Sequence, residues 1–360
     1  MTLIHIFPGQ GAQRVGMGSE LFARFPHLVT QAESQLGWSI RELCAQGPAE
    51  KLSDTRFTQP TVYVVSALSY LAHVRDSGEV PALFAGHSLG EYTALFVGGA
   101  YDFLTGLEIV AERARLMAEA PPGAMAAVIG LGHEAVRTAL LEAGGNDVTP
   151  ANLNLADQIV IAGRPEALDH VAPALKAAGA TTVTRLQVSG AFHSSLMAEP
   201  AERFRAFLDG YRFDRLRITT LSNVTAAPHE QETLHELLGR QMVEPVNWVG
   251  CMDYMLGQPD PEIVDVGPGS VLARLVERHR AAGAQCRNVV GEPARQREHR
   301  AVDHQGEQPE GDDVERKGQE LRHRLDERVH QRQYQAQDQQ VQPHRAGPRP
   351  LGHTQPGQEA

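Results

Sequence analysis

Cysteine is scarce in this chain. Its 360 residues contain three, Cys44, Cys251 and Cys286, and no two form a C-x-x-C pair. That spacing gives little support to a disulfide-stapled fold or a cysteine-based zinc centre, and it fits a reducing cytoplasm. Apolar runs long enough to span a bilayer are also missing, so no membrane segment is expected. The start has no basic leader: Met1-Thr2-Leu3-Ile4-His5-Ile6-Phe7 runs straight into a glycine-rich turn and reads as a first strand. There is no cationic excess either, because 33 Lys and Arg stand against 44 Asp and Glu for a formal charge of -11. Nonspecific nucleic-acid binding needs a basic surface to displace counterions, so it is not expected. Arg274, Arg278, Arg280 and Arg287 come nearest to a basic patch. They read more simply as a solvated helix face.

What the chain does have is apolar residues, 42% of the total, enough for one large domain or two smaller ones. Strand-like runs at Ile4 to Phe7, Ala82 to Ala85 and Ile263 to Val266 alternate with helical stretches at Gly18 to Phe25, Thr58 to Val74, Leu104 to Glu119 and from Val271 onward. This alternation predicts an α/β fold. Residues 124–189 follow a different order. Strands are expected at Ala124 to Ile129, Val148 to Leu153, Gln158 to Ala162 and Thr181 to Val188, with helices at His133 to Ala143 and Pro165 to Ala178. Strand-helix-strand-strand-helix-strand is the order of a ferredoxin-like unit. It is expected as a small subdomain inserted into a core made of residues 1–123 and 190–292, with a cleft at the junction. From about residue 293 glutamine, histidine, arginine and glycine dominate, so residues 293–360 are expected to be a disordered tail. A linker, a docking segment and an altered reading frame all fit that composition. Its histidines show no compact ligand spacing, and no metal site is expected.

The most telling residues are Gly86-His87-Ser88-Leu89-Gly90, placed where the strand Ala82 to Ala85 gives way to a helix. A serine between glycines at such a turn sits on a sharp elbow with its hydroxyl exposed and backbone N–H groups nearby, as an acyl-transfer nucleophile requires. It needs a base, and ten of the sixteen histidines precede the tail. His193, in Gly190-Ala191-Phe192-His193-Ser194, stands where the inserted segment returns to the core and can reach back to Ser88, although a structural histidine is the plainer reading of that residue alone. His87 is expected to point away from its neighbour. The turn Phe7-Pro8-Gly9-Gln10-Gly11-Ala12-Gln13 offers backbone N–H groups for an oxyanion, or is simply a tight turn. Arg113 and Met117 lie one helical turn apart on one face. An arginine turned into the cleft would hold a carboxylate with both prongs of its fork, whereas a surface arginine would hold nothing.

Taken together, these motifs resemble the malonyl-CoA:acyl carrier protein transacylase family. Further matching points are Ser222-Asn223-Val224, Gln241 ahead of Pro245-Val246-Asn247-Trp248, and Val266-Gly267-Pro268-Gly269, all in the family's order across residues 1–290. The resemblance implies an α/β-hydrolase-like larger domain carrying the ferredoxin-like subdomain. It implies Ser88 as nucleophile, His193 as general base, Gln10 and Leu89 N–H groups as oxyanion hole, and Arg113 with Met117 in substrate binding. The histidine would be oriented by a carbonyl at or near Gln241, with Asn223 in support. Phe192 beside His193 is similar to polyketide acyltransferases that prefer malonyl over methylmalonyl units, and the chain looks like a discrete, trans-acting member. No permanently bound cofactor is implied. Malonyl-CoA would be the substrate, and a holo acyl carrier protein, or a carrier domain of a polyketide synthase bearing phosphopantetheine, the partner of a monomeric enzyme. An acyl hydrolase of the same fold is the rival reading, and a noncatalytic scaffold a remoter one.

Overall fold

The computed structural model describes residues 1–188 and 190–289, with side chains as far as residue 283. The expected tail and the side chains of Cys286 and Arg287 lie outside the described residues. The described residues belong to one compact unit.

Strand β1 (Thr2–Phe7) is followed by four short helices, α1 (Ser19–Arg24), α2 (Pro26–Leu36), α3 (Ile40–Gln46) and α4 (Ala49–Ser53), and then by the long α5 (Thr55–Ser77). Helix α5 starts one turn before the expected Thr58, because the Asp54 carboxylate accepts the Arg56 N–H at 3.0 Å and caps it there. Next come β2 (Leu83–Gly86), α6 (Leu89–Gly98) and α7 (Phe103–Glu119). Asp102 caps α7 by accepting the N–H groups of Leu104 and Thr105 at 3.0 and 2.9 Å. Along α7, Leu107, Val110, Arg113, Ala114 and Met117 are buried on one stripe, so Arg113 faces inward with the apolar residues.

The chain then forms β3 (Ala124–Ile129), α8 (His133–Glu142), β4 (Val148–Leu155), β5 (Gln158–Gly163), α9 (Pro165–Ala177) and β6 (Thr182–Arg185). These strands make an antiparallel sheet in the order β4-β5-β3-β6, the ferredoxin-like arrangement. Strand β6 ends at Arg185, short of the expected Val188. After it come α10 (Ala198–Leu208), β7 (Thr219–Thr220), α11 (Leu234–Arg240), α12 (Trp248–Leu256), β8 (Pro261–Asp265) and α13 (Val271–Val289).

The other sheet is parallel throughout, in the order β7-β2-β1-β8. Parallel sheets are covered on both faces, so their strands bury residues of either parity. Ile4 and Ile6 of β1 enter a core with Trp248, Met252 and Met255, while His5 and Phe7 turn to the opposite face against Tyr70 and Phe84. Strand β4 breaks register between Pro150 and Asn152 and between Leu153 and Leu155, and Asn152 makes an isolated parallel bridge to Val246, just ahead of α12. Among the described residues no helix is long and apolar enough to cross a membrane, and no group of three or more His, Cys, Asp or Glu residues is placed to hold a metal ion. Cys44 and Cys251 are free and buried. Arg274 and Arg278 lie on α13, where Arg278 donates to Gln158 at 2.8 Å and stands 3.5 Å from Asp157.

Candidate active site

Ser88 links β2 to α6 with φ 52° and ψ -108°, a left-handed backbone strained for any residue with a Cβ. The two flanking glycines make the turn possible. A Cβ on Gly86 would stand 1.9 Å from the Gly90 carbonyl carbon, and one on Gly90 would stand 2.0 Å from the Phe7 carbonyl oxygen. The Gln10 turn presses on the elbow in the same way, because a Cβ on Gly9 would fall 2.5 Å from the His87 carbonyl oxygen. The end of β1 and the serine elbow therefore touch backbone to backbone.

Half-buried Ser88 carries its Oγ 2.8 Å from His193 Nε2. On the far side of the ring, Nδ1 lies 2.6 Å from the backbone oxygen of Gln241. A carbonyl can only accept, so Nδ1 carries the proton and Nε2 is left as the acceptor for the serine hydroxyl. His193 also has a positive φ, 58°. Burial, and after it the nearby Arg113 guanidinium, pushes the imidazole down to about 3, which keeps it neutral at pH 7.

Arg113 is fully buried and meets only neutral acceptors: Gln59 Oε1 at 2.7 Å, Gln241 Oε1 at 3.0 Å and Ser88 Oγ at 3.2 Å. Its Nε is buried with no hydrogen-bond partner. The guanidinium also stands over the Tyr92 ring, 5.1 Å from the centroid. A desolvated cation without a carboxylate beside it is costly unless an anion arrives to meet it. Met117 adjoins this cation indirectly, its Sδ accepting from Gln59 Nε2 at 3.4 Å.

Asn223 clamps the elbow from beneath. Its Oδ1 accepts the Ser88 N–H at 2.6 Å and its Nδ2 donates to the Gly86 carbonyl at 2.7 Å. Gln241 ties the groups together, its Nε2 donating to the Ser88 carbonyl at 3.0 Å while its backbone holds His193 and its Oε1 holds Arg113. Leu89 opens α6, so its N–H has no carbonyl four residues back within the helix. Gln10 donates through Nε2 to Thr55 Oγ1 at 3.2 Å. Phe192 is buried and folds back on Gly190, where an added Cβ would meet its ring at 2.6 Å. His87 points away from Ser88, with Nε2 2.8 Å from Asn154 Oδ1 and its ring edge-on to Trp248.

Three residues of this network, Gln59, Asn154 and His229, escaped the sequence reading as site residues, and Glu91, which stands in the matching stretch Gly86 to Glu91, was given no role. Glu91 closes the motif Gly86 to Glu91, yet its carboxylate accepts from Asn223 N–H at 3.0 Å, Gln241 Nε2 at 2.7 Å and His229 Nε2 at 2.7 Å. The available signal was a glutamate in the first turn of an otherwise apolar helix, which also has the bland reading of a helix-dipole partner.

A serine hydroxyl set between a neutral imidazole and a buried guanidinium, on a strand-to-helix elbow, is the equipment of an acyl-serine enzyme with a site for a charged acyl group. Residues 4–309 match the acyl transferase domain family, and the chain belongs to it. It is 43% identical over 277 residues to a polyketide biosynthesis malonyl CoA-acyl carrier protein transacylase of Bacillus velezensis, covering 77% of this chain and 96% of that protein. The malonyl CoA-acyl carrier protein transacylase of Escherichia coli is 38% identical over 281 residues, covering 76% of this chain and 91% of its own. Among solved structures, a malonyl CoA-acyl carrier protein transacylase from Burkholderia pseudomallei superposes with a TM-score of 0.74 at 40% identity, over 82% of this chain and 100% of that one. A malonyl-transacylase solved in complex with a holo type II polyketide acyl-carrier protein gives 0.74 at 35% identity, over 77% of this chain and 93% of that one.

Proposed function

We propose that this protein is a malonyl-CoA:acyl carrier protein transacylase in which Ser88 is the nucleophile, His193 the general base and Arg113 the anchor for the malonyl carboxylate. The observation that carries the reading is Arg113, a fully buried cation with no carboxylate partner, 3.2 Å from the serine oxygen. The reaction is ping-pong. Ser88 Oγ attacks the thioester carbonyl carbon while its proton passes to His193 Nε2. The C–S bond then breaks, and the coenzyme A thiolate takes the proton back from the imidazole. In the second half, the phosphopantetheine thiol of a holo carrier protein gives its proton to His193 and attacks the acyl-serine. As the Oγ–C bond breaks, Ser88 Oγ takes that proton from the imidazole, which restores the hydroxyl and the neutral base.

The N–H groups of Gln10 and Leu89 hold the oxyanion in each half-reaction, and two backbone donors aimed at that oxygen stabilise it where charge develops. Met117 and Phe192 bound the acyl pocket, while Asn223 and Gln241 keep the elbow and the base in place. The core comprises residues 1–123 and 190–292, with residues 124–189 as the small subdomain. The enzyme acts as a cytoplasmic monomer on discrete carrier proteins or carrier domains of a polyketide synthase, and two free buried cysteines suit that compartment.

The buried cation favours transfer over the rival hydrolase reading, since a carboxylate anchor is of no use to an enzyme clearing uncharged chains. Incubation with labelled malonyl-CoA, with and without holo carrier protein, tests the assignment. Label is expected on Ser88 and then on the carrier, and Ser88→Ala is expected to abolish both. Retention of covalent label in Ser88→Ala would remove Ser88 as the nucleophile, and rapid release of free malonate without carrier loading would mark a hydrolase.

A further inference from the structure

Glu91 and His229 form a buried pair that the mechanism above does not use. Both side chains are 0% exposed, and His229 Nε2 lies 2.7 Å from Glu91 Oε1. Glu91 Oε2 accepts from Asn223 N–H at 3.0 Å and Gln241 Nε2 at 2.7 Å. With the His229 proton on Nε2, three donors meet the two oxygens of the Glu91 carboxylate. Keeping such a group away from water is expensive unless another charge compensates it. The compensating charge stands on the other side of the Gln241 amide, whose Oε1 accepts from Arg113 Nη2 at 3.0 Å. One primary amide thus offers its NH2 to the anion and its oxygen to the cation.

We propose that Glu91 is the counter-charge of Arg113, held one amide away by Gln241, and that this spacing sets how strongly the site binds a carboxylated acyl group. The proposal rests on Arg113 being the carboxylate anchor. A direct Glu–Arg pair would fill the guanidinium fork and leave no donors for substrate. A buried guanidinium with no anion nearby would hold malonyl so tightly in the ground state that binding energy would be lost to the transfer step. The interposed amide avoids both extremes. Glu91 lowers the positive potential at the anchor without occupying it, and His229 supplies the third hydrogen bond the carboxylate needs. Glu91 is therefore a positioning and specificity-setting residue that acts through Gln241 and touches no substrate.

Glu91→Gln removes the charge and can keep the network. The new amide oxygen accepts from Asn223 and Gln241, and its NH2 donates to His229 Nε2 once the histidine proton moves to Nδ1, an atom that has no partner now. Calorimetric titration with free malonate is expected to show about tenfold tighter binding in the variant, the scale of one charge removed a few ångströms beyond contact at intermediate dielectric. In steady state KM for malonyl-CoA falls together with kcat, while KM for acetyl-CoA stays at the wild-type value. A role confined to packing would weaken malonate binding and lower both activities alike. Should the single variant fail to fold, Glu91→Gln with His229→Gln restores an amide-to-amide hydrogen bond and gives the same readouts. A folded variant of either kind with unchanged or weaker malonate affinity overturns the proposal. Normal malonyl loading of Ser88 in the wild type alongside that result would leave the transacylase reading intact. A wild type that neither binds malonate nor forms malonyl-Ser88 would instead remove the anchor on which the proposal rests.

Discussion

On the proposed mechanism, replacing Arg113 with alanine is expected to separate recognition of the acyl carboxylate from the chemistry at Ser88. In the wild type the guanidinium is held by Gln59 at 2.7 Å and Gln241 at 3.0 Å, so its fork is pre-oriented before substrate arrives. Two charge-assisted hydrogen bonds to a carboxylate contribute about 1.5–3 kcal/mol each, roughly 3–6 kcal/mol together. At 1.4 kcal/mol per tenfold this predicts a loss of roughly 10²- to 10⁴-fold in kcat/KM for malonyl-CoA. Acetyl-CoA makes neither bond, and its kcat/KM is expected to fall by less than about tenfold. Some loss of stability in urea melts is expected alongside, because the deletion takes away the counter-charge of the buried Glu91 carboxylate even as water entering the polar space satisfies the two glutamine oxygens. The acid limb of the pH profile provides a second readout. Arg113 is the second cause, after burial, of the His193 imidazole lying near 3, so its removal shifts that limb upward. Single-turnover acylation of Ser88 by labelled malonyl- and acetyl-CoA over a range of pH measures all of this. Equal losses for the two acyl groups, with an unmoved acid limb, would refute the assignment and leave Arg113 a structural residue.

Other consequences concern the elbow and the sheet beneath it. Asn223→Ala strips the partners from the Ser88 N–H and the Gly86 carbonyl, at about 1–3 kcal/mol each where they stay dry. Urea denaturation is expected to show that loss, and acylation rates to fall for malonyl and acetyl alike; a changed malonyl-to-acetyl ratio would contradict the separation between elbow and anchor. His5 lies within β1 with both ring nitrogens buried and unpartnered, and burial, then His73, pushes it down to about 3. The unfolded chain takes up a proton as pH falls through about 6.5, the folded chain only near 3, so the stability this group confers is complete above 6.5 and is lost progressively below it, by about 2 kcal/mol at pH 5. His5→Phe is expected to leave stability at pH 7.5 within about 1 kcal/mol and to gain about 2 kcal/mol over the wild type between pH 7.5 and pH 5. Parallel pH dependences in urea melts would show that His5 is not the titrating group.

What could be read in the sequence was whatever depends on neighbouring residues. The serine elbow is one case, since the strand, the two glycines and the following helix are contiguous and the close approaches at Gly86 and Gly90 leave no other residue possible. The ferredoxin-like segment is another, because its strands and amphipathic helices alternate within 65 residues and each keeps its own period. Helices α2–α4 and α10–α12 went unread. Several are too short to show a period, and α12 buries Trp248, Cys251, Met252 and Met255 in a run apolar on nearly every side. The support of the site was hidden for a different reason. The backbone oxygen of Gln241, 48 positions away, orients His193 and was expected only through the family resemblance, because a carbonyl carries no signature of the residue it belongs to. Glu91 reaches Gln241 across 150 positions and His229 across 138, so nothing local separates that glutamate from one placed to favour a helix N-terminus. A motif of this kind identifies the atoms that react, because their geometry is built by the residues on either side. The groups that set charge and tautomer come from β4, from Gln241 at the end of α11 and from the loop before that helix, and only the folded chain brings them to the elbow.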